Sequence, residues 1–317
     1  MPKGFYSQGV TLLTDGSTTV RDVRAALQKR GFNIARETEG SEHWQLGGAT
    51  LVVPYRPEIN GYVAVDLVNE KWPDTMGDPK ADTMTFGAWS MGHFGPWAYP
   101  HGLRRAGQHA WAWEPASSIA DGHAGFIRIR LSYAFGANQD APVLPENYDA
   151  LDELDFVGRI VVAALEAPGV LCYFNPNGEV LRDRESFSEM WNACVADKVI
   201  ALPLWSNIRF FNLGELMLMD TVGNAQFDAM DIEAIFPESY SPQEVDGYLR
   251  NVTLYLIDSR PRFESGESID GPGEQNTSWT LEVLESGLTS PPRQILRLYP
   301  KRDADVVRRA VAEVDRE

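Results

Sequence analysis

A chain of 317 residues with 44% apolar and 23% charged residues has the balance of a globular protein of about two domains. That length can bury roughly 75% of the unfolded surface without a disulfide or metal staple. No apolar run approaches the ~20 residues of a membrane span, and a net charge of −17 argues against binding phosphate backbones or anionic lipid headgroups.

The first residues lack the apolar core and small-residue cleavage site of a signal peptide. Only Cys172 and Cys194 are present, both in apolar surroundings, so buried free thiols and a cytoplasmic location are expected. The charge is uneven. Residues 1–110 hold eleven acids and eleven bases, so all of the imbalance lies beyond Ala110. Between Arg209 and Arg250 there is no Lys or Arg, yet the stretch carries Glu215, Asp220, Asp228, Asp231, Glu233, Glu238, Glu244 and Asp246. Such a surface attracts basic partners.

In chain order, residues 9–14 read as a strand, and Ser17 or Thr18 can cap a helix over about 19–30, with Val20, Val23 and Leu27 on one face and Gly31 ending it. Strands follow over 44–53 and 62–68. From 71 to 101 periodicity is lost among four prolines and Trp72, Trp89 and Trp97, which predicts a packed irregular loop leading into a helix near 102–112. A second round then begins, with a strand over 125–134, where Phe126, Ile127, Ile129, Leu131 and Tyr133 are set against Arg128 and Arg130. The strongest helix spans 147–166, with Leu151, Leu154, Val157, Val161 and Leu165 as its apolar stripe. Strands over 170–174 and 179–181 flank the turn 175–178, and a helix covers 184–196.

The rest reads as strands over 207–211, 216–220 and 231–236, then a helix opened by a capping box at Ser241-Pro242-Gln243-Glu244. A polar loop over 262–277, strands over 279–284 and 294–298, and a helix over 303–316 complete the chain. The fold class predicted is α+β, as two β-α-β-β-type sandwich units with mostly antiparallel sheets. The units expected are 1–115, with the aromatic Gly/Pro-rich segment, and an acidic 116–317. The aromatic segment would join them, with Trp89 largely buried.

Chemistry-bearing patterns are sparse. His93, His101 and His109 recur every eight residues, a spacing unlike that of helix or turn zinc ligands. Asp220 precedes a Gly turn, where it can serve as a general base or cap the turn with its own side chain. The Glu267 to Gly271 loop lacks EF-hand spacing. No nucleophile elbow, phosphate loop or dinucleotide fingerprint is present, so neither a cofactor nor a metal is called for. Trp and Tyr in the segment 89–100 would, if exposed, act as interface anchors.

Two stretches carry a resemblance. Phe86-Gly87-Ala88-Trp89-Ser90-Met91-Gly92, with Phe94-Gly95-Pro96 and Gly102-Leu103, is similar to the tryptophan-glycine region of immunity proteins of bacterial polymorphic toxin systems, nearest the immunity protein 52 type. Met219 to Gly223, Asp231 to Pro237 and Glu267 to Gly271 look like an uncharacterised bacterial domain of unknown function found in secretion-associated neighbourhoods. The resemblance implies an immunity protein that neutralises a toxin delivered by a type VI or related secretion system, the usual partner of that type being a restriction-endonuclease-like DNase. It carries no catalytic residues over. The residues expected to meet the toxin are Glu215, Asp228, Asp231, Glu233, Glu238, Asp246 and Trp97. The competing readings are a secretion adaptor or chaperone that loads an effector without blocking it, and a hydrolase using Asp220 or a histidine pair.

Overall fold

The structure is a computed structural model that describes residues 2–137, 141–273 and 277–314. It divides into two compact units, Met1–Trp205 and Ser206–Glu317.

The first unit opens with β1 (Gln8–Thr14) and α1 (Val20–Lys29). Thr19 rather than Thr18 caps α1. Its hydroxyl accepts from the Asp22 N–H while the Asp22 carboxylate accepts from the Thr19 N–H, a reciprocal box that satisfies two orphan donors. Then come β2 (Arg36–Thr38), β3 (Ala49–Arg56), β4 (Gly61–Val68) and three short helices, α2 (Thr83–Ser90), α3 (Gly102–Gln108) and α4 (Ala116–Gly122). The second round supplies β5 (Gly125–Ser132), α5 (Ala150–Ala164), β6 (Val170–Asn175), β7 (Val180–Asp183), α6 (Arg184–Asp197) and α7 (Leu202–Trp205).

All seven strands form one antiparallel sheet in the order β2-β3-β4-β5-β1-β6-β7. The expected division at 115/116 is therefore overturned. β5 opens the second round but lies between β4 and β1, so a cut there would split the sheet through its middle. The physical reason is burial. Every residue of β5 is buried, Arg128 and Arg130 included, and a strand covered on both faces needs a neighbour on each side. The two β-α-β-β rounds are parts of one unit.

One face of this sheet, with Leu12, Val63, Val65, Ile127 and Ile129, packs under α1 and α5, beside α6. Gly158 of α5 is required there, because a Cβ would stand 2.1 Å from the Trp191 ring. The opposite face carries Leu13, Phe126, Cys172 and Phe174 and is covered by α2, α3, α4 and the aromatic segment. Trp72 meets Trp89, Phe94, Phe126 and Phe174 at ring distances of 5.3 to 6.0 Å, all edge-to-face, a geometry the ring quadrupoles favour. The segment is thus the lid of the first unit's own sheet rather than a joint between two units. Cys172 is buried, which pushes its thiol up to about 12, whereas Cys194 is only half-buried.

The second unit contains β8 (Asn207–Leu213), β9 (Leu216–Val222), β10 (Asp231–Pro237), α8 (Pro242–Ser259), β11 (Ser268–Asp270), β12 (Ser278–Leu284), β13 (Ile295–Pro300) and α9 (Ala304–Val314). Strand order is β11-β12-β13-β10-β9-β8, antiparallel except for β10 beside β13. Val245, Leu249, Val252 and Leu256 of α8 pack on Ile232, Phe236, Trp279 and Leu298. Val307 of α9 packs on Leu216, Leu218, Ile235 and Tyr299 of the other face. Ser241 is the N-cap of α8, but its side chain makes no capping bond, so the predicted box is not formed. Residues 315–316 of the predicted last helix and 274–276 of the predicted loop lie outside the described residues. Both units are α+β, and both sheets are mostly antiparallel.

Candidate functional site

Period-two alternation in the second unit places a row of charges straight across five strands. Arg209 of β8 is opposite Asp220 of β9, Asp220 is opposite Glu233 of β10, Glu233 is opposite Arg297 of β13, and Arg297 is opposite Glu282 of β12. Arg209 grips Asp220 through Nε at 2.9 Å and Nη2 at 2.6 Å, and Arg297 Nε donates to Glu233 at 2.7 Å. The connection between β12 and β13 folds onto the row. Leu288 N–H donates to Glu233 at 2.7 Å, the Thr289 hydroxyl donates to Asp220, and Ser290 carbonyl accepts from Arg209 at 2.7 Å. Arg293 then reaches Asp220 at 2.5 Å and Asp231 at 3.2 Å.

Asp220 is fully buried. Burial alone would raise its carboxyl, but the Arg209 and Arg293 guanidiniums outweigh it and hold the group below the usual carboxylate range. An ionised carboxylate with both oxygens committed is a poor proton acceptor. Nor does Asp220 cap the turn that follows it. The carboxylate of Asp231 does so, accepting from the N–H groups of Gly223 and Asn224 at 3.4 and 3.0 Å.

A second buried centre lies in the first unit, under the aromatic lid. Asp66 accepts from Arg128 Nη2 at 2.6 Å and Arg130 Nη2 at 2.7 Å, and Arg128 also donates to the carbonyls of Trp44 and Gln45. Arg130 lies over the Tyr6 ring at 4.6 Å, and its Nη1 is 3.0 Å from His93 Nδ1. Burial first, then the two guanidiniums, drive the His93 pKa down to about 3. His123 is tied down as well. Its Nε2 accepts from Trp72 N–H at 2.8 Å and its Nδ1 donates to the Ala120 carbonyl, so both nitrogens are used by main chain. Among the described residues no group of three or more His, Cys, Asp or Glu is placed to hold a metal ion.

The expected acidic surface is smaller than its sequence stretch. Asp220, Asp231 and Glu233 are internal and paired with Arg209, Arg293 and Arg297, so Asp231 and Glu233 are withdrawn from the interface set. Those arginines lie outside the acid-rich segment, which is why a local charge count missed them. The available signal was the shared period, since Arg297 falls on the same face of its strand as Ile295 and Tyr299, just as Asp220 falls on that of Leu216 and Leu218. Glu215, Asp228 and Glu238 are exposed, while Asp246 is half-exposed and bonded to Arg250. Leu216 pairs with Pro237, so Glu215 and Glu238 leave the sheet together at one end, and Glu244 begins α8 one turn later. Asp228 stands at the opposite end, after β9. Trp97 is half-buried and its main-chain N–H donates to Asn177 Oδ1 at 2.8 Å, whereas Trp89 is buried with its indole donating to the Pro73 carbonyl.

Clefts also open among the described residues of the first unit. One, of about 530 Å³, is lined by Phe32, Phe156 and Trp191 with Arg30 and Arg159, whose guanidiniums are already bonded to Glu166 and Asp155. Another, of about 450 Å³, lies beside Trp72, Asp74, Arg104, Ser117 and His123. Residues 220–299, from Asp220 of the charged row to Tyr299 of β13, match a family described as a domain of unknown function (DUF4261). No curated protein matches the chain, and no solved structure does. Among the described residues, no helix is long and apolar enough to cross a membrane.

Proposed function

We propose that the protein is a binding protein that captures a basic protein partner at the acidic end of its second unit, as an immunity protein that neutralises a secreted toxin of the nuclease class. The supporting observation is where the charge of that unit resides. Residues 206–317 hold 20 acids and 11 bases, a net charge of −9. The buried set is neutral, three carboxylates against three guanidiniums, so the excess is carried outside it. Glu215, Glu238 and Glu244 are exposed at one end of the sheet, in a stretch without a base from 210 to 249. A nuclease must offer a cationic face to a phosphate backbone, and an acidic inhibitor is complementary to that face. The resemblance of Phe86 to Leu103 to immunity proteins points the same way.

The test uses the protein encoded beside this one. Its expression should arrest growth, and co-expression of the present chain should relieve the arrest. The association rate of the purified pair should fall steeply with salt, since steering is screened over ~8 Å at physiological ionic strength. Glu215→Lys with Glu238→Lys should slow association about tenfold or more while thermal stability is retained. Salt-independent association, or full protection by the reversed variant, would remove the acidic end from the mechanism.

A further inference from the structure

Sheet edges are templates for another strand, and proteins blunt them by shortness, charge, Pro or bulges. Three of the four edges here are short, with β2 and β11 of three residues each and β7 of four. β8 is different. It runs seven residues, Asn-Ile-Arg-Phe-Phe-Asn-Leu, pairs with β9 without a register shift, and has no strand on its other side among the described residues. It holds no Pro or Lys, and its single cation, Arg209, is turned inward onto Asp220.

The hydrogen-bonding direction follows from the hairpin. Leu213 and Leu216 flank a two-residue turn and exchange both bonds, so Phe211 and Arg209 also bond to β9, while Ile208, Phe210 and Asn212 aim N–H and C=O away from it. Phe210 is 37% exposed and Asn212 is exposed as well.

We infer that the β8 edge is the docking strand for an extended, lysine- or arginine-bearing segment of the partner, which adds to the sheet beside Ile208, Phe210 and Asn212. This rests on the reading of the acidic end as the binding surface. The choice of occupant follows from charge. β8 ends at the hairpin tip that carries exposed Glu215, the next strand end carries Glu238, and no base between 210 and 249 competes for them. A second copy would bring two units of net −9 edge to edge, whereas a cationic strand meets main-chain bonds and carboxylates together.

The probe is a capped heptapeptide, Lys-Val-Lys-Val-Lys-Val-Lys, with its Glu-for-Lys counterpart as control, titrated into the full chain by fluorescence anisotropy. The basic peptide should bind and the acidic one should not. Binding should slow amide exchange at Ile208, Phe210 and Asn212. Asn212→Pro removes one outward donor without breaking a bond to β9, which edge strands tolerate, and should weaken binding about tenfold, whereas Asn212→Ala should not. Equal binding by Asn212→Pro, with loss only in Glu215→Lys/Glu238→Lys, would overturn the edge and leave the acidic surface standing. Absence of binding, or exchange unchanged at these three amides, also overturns it. A dimer that Asn212→Pro dissolves would assign the edge to a second copy and overturn the basic strand.

Discussion

Asp220→Ala should destabilise the second unit by roughly 3–5 kcal/mol, the cost of breaking a buried pair by removing one partner. The carboxylate is fully buried, and its removal strands the guanidinium of Arg209 and takes from Arg293 one of its two carboxylates, leaving it Asp231. It also deprives the Thr289 hydroxyl of its acceptor, which loosens the 285–294 connection. Asp220→Asn keeps the shape and one acceptor oxygen, so its cost should fall below that of alanine. Replacing the facing pair together, as Asp220→Leu with Arg209→Met, should recover much of the loss, because matched apolar side chains need no desolvation and Arg293 keeps its ion pair with Asp231. Urea unfolding combined with amide exchange in β9 and β13 reads the effect in the right unit. A loss under about 1 kcal/mol for Asp220→Ala would mean that water reaches the guanidiniums, and the row would then be an accessible charged site.

Most strands and long helices were legible because their signals are local. β5, α5, β6 and β12 announce themselves by period two, period 3.6 and flanking turn residues. α2 and α4 were missed because each is an island of seven or eight residues in a segment without an apolar stripe, held by packing against Trp72 and Phe94 rather than by propensity. β2 and β11 were missed for a similar reason, since three residues, too few to show a period, become a strand only when a neighbour supplies the ladder. Strand order was beyond local reading. Arg128 and Arg130 looked like the wet face of a strand, and only Asp66, 62 and 64 residues earlier, turns that face into an interior. The same error recurs at Asp231 and Glu233, whose partners Arg293 and Arg297 arrive more than 60 residues later. Charge counted along a chain measures composition, and the fold decides which charges reach solvent.

The buried imidazole of His93 sets a pH window for the first unit. Its Nδ1 lies 3.0 Å from Arg130 Nη1 and accepts from that guanidinium, which keeps the proton on Nε2 and the ring neutral. Arg128, Asp66 and the Tyr6 hydroxyl complete its polar surroundings, and the Leu46 carbonyl, 3.1 Å from Nδ1, accepts from Arg130. The folded pKa is about 3, against an ordinary value of 6.5. Between those values the unfolded chain binds more protons than the folded one, so stability is full above about pH 6.5 and is lost as pH falls towards 3, at about 1.4 kcal/mol per pH unit. From pH 7 to pH 5 the loss is about 2 kcal/mol. His123, also lowered by burial, adds in the same direction. Asp74, whose carboxyl burial raises, acts in the opposite sense, and Asp66, held low despite burial by Arg128 and Arg130, contributes only below about pH 4. The difference between the wild type and His93→Asn therefore isolates the imidazole, because the amide oxygen can still accept from Arg130 but does not titrate. Amide exchange in β5 as a function of pH should show the wild type losing protection between pH 6.5 and 5 faster than the variant. Parallel curves for the two proteins would place His93 in contact with water and overturn the assignment of a dry, permanently neutral ring beneath the aromatic lid.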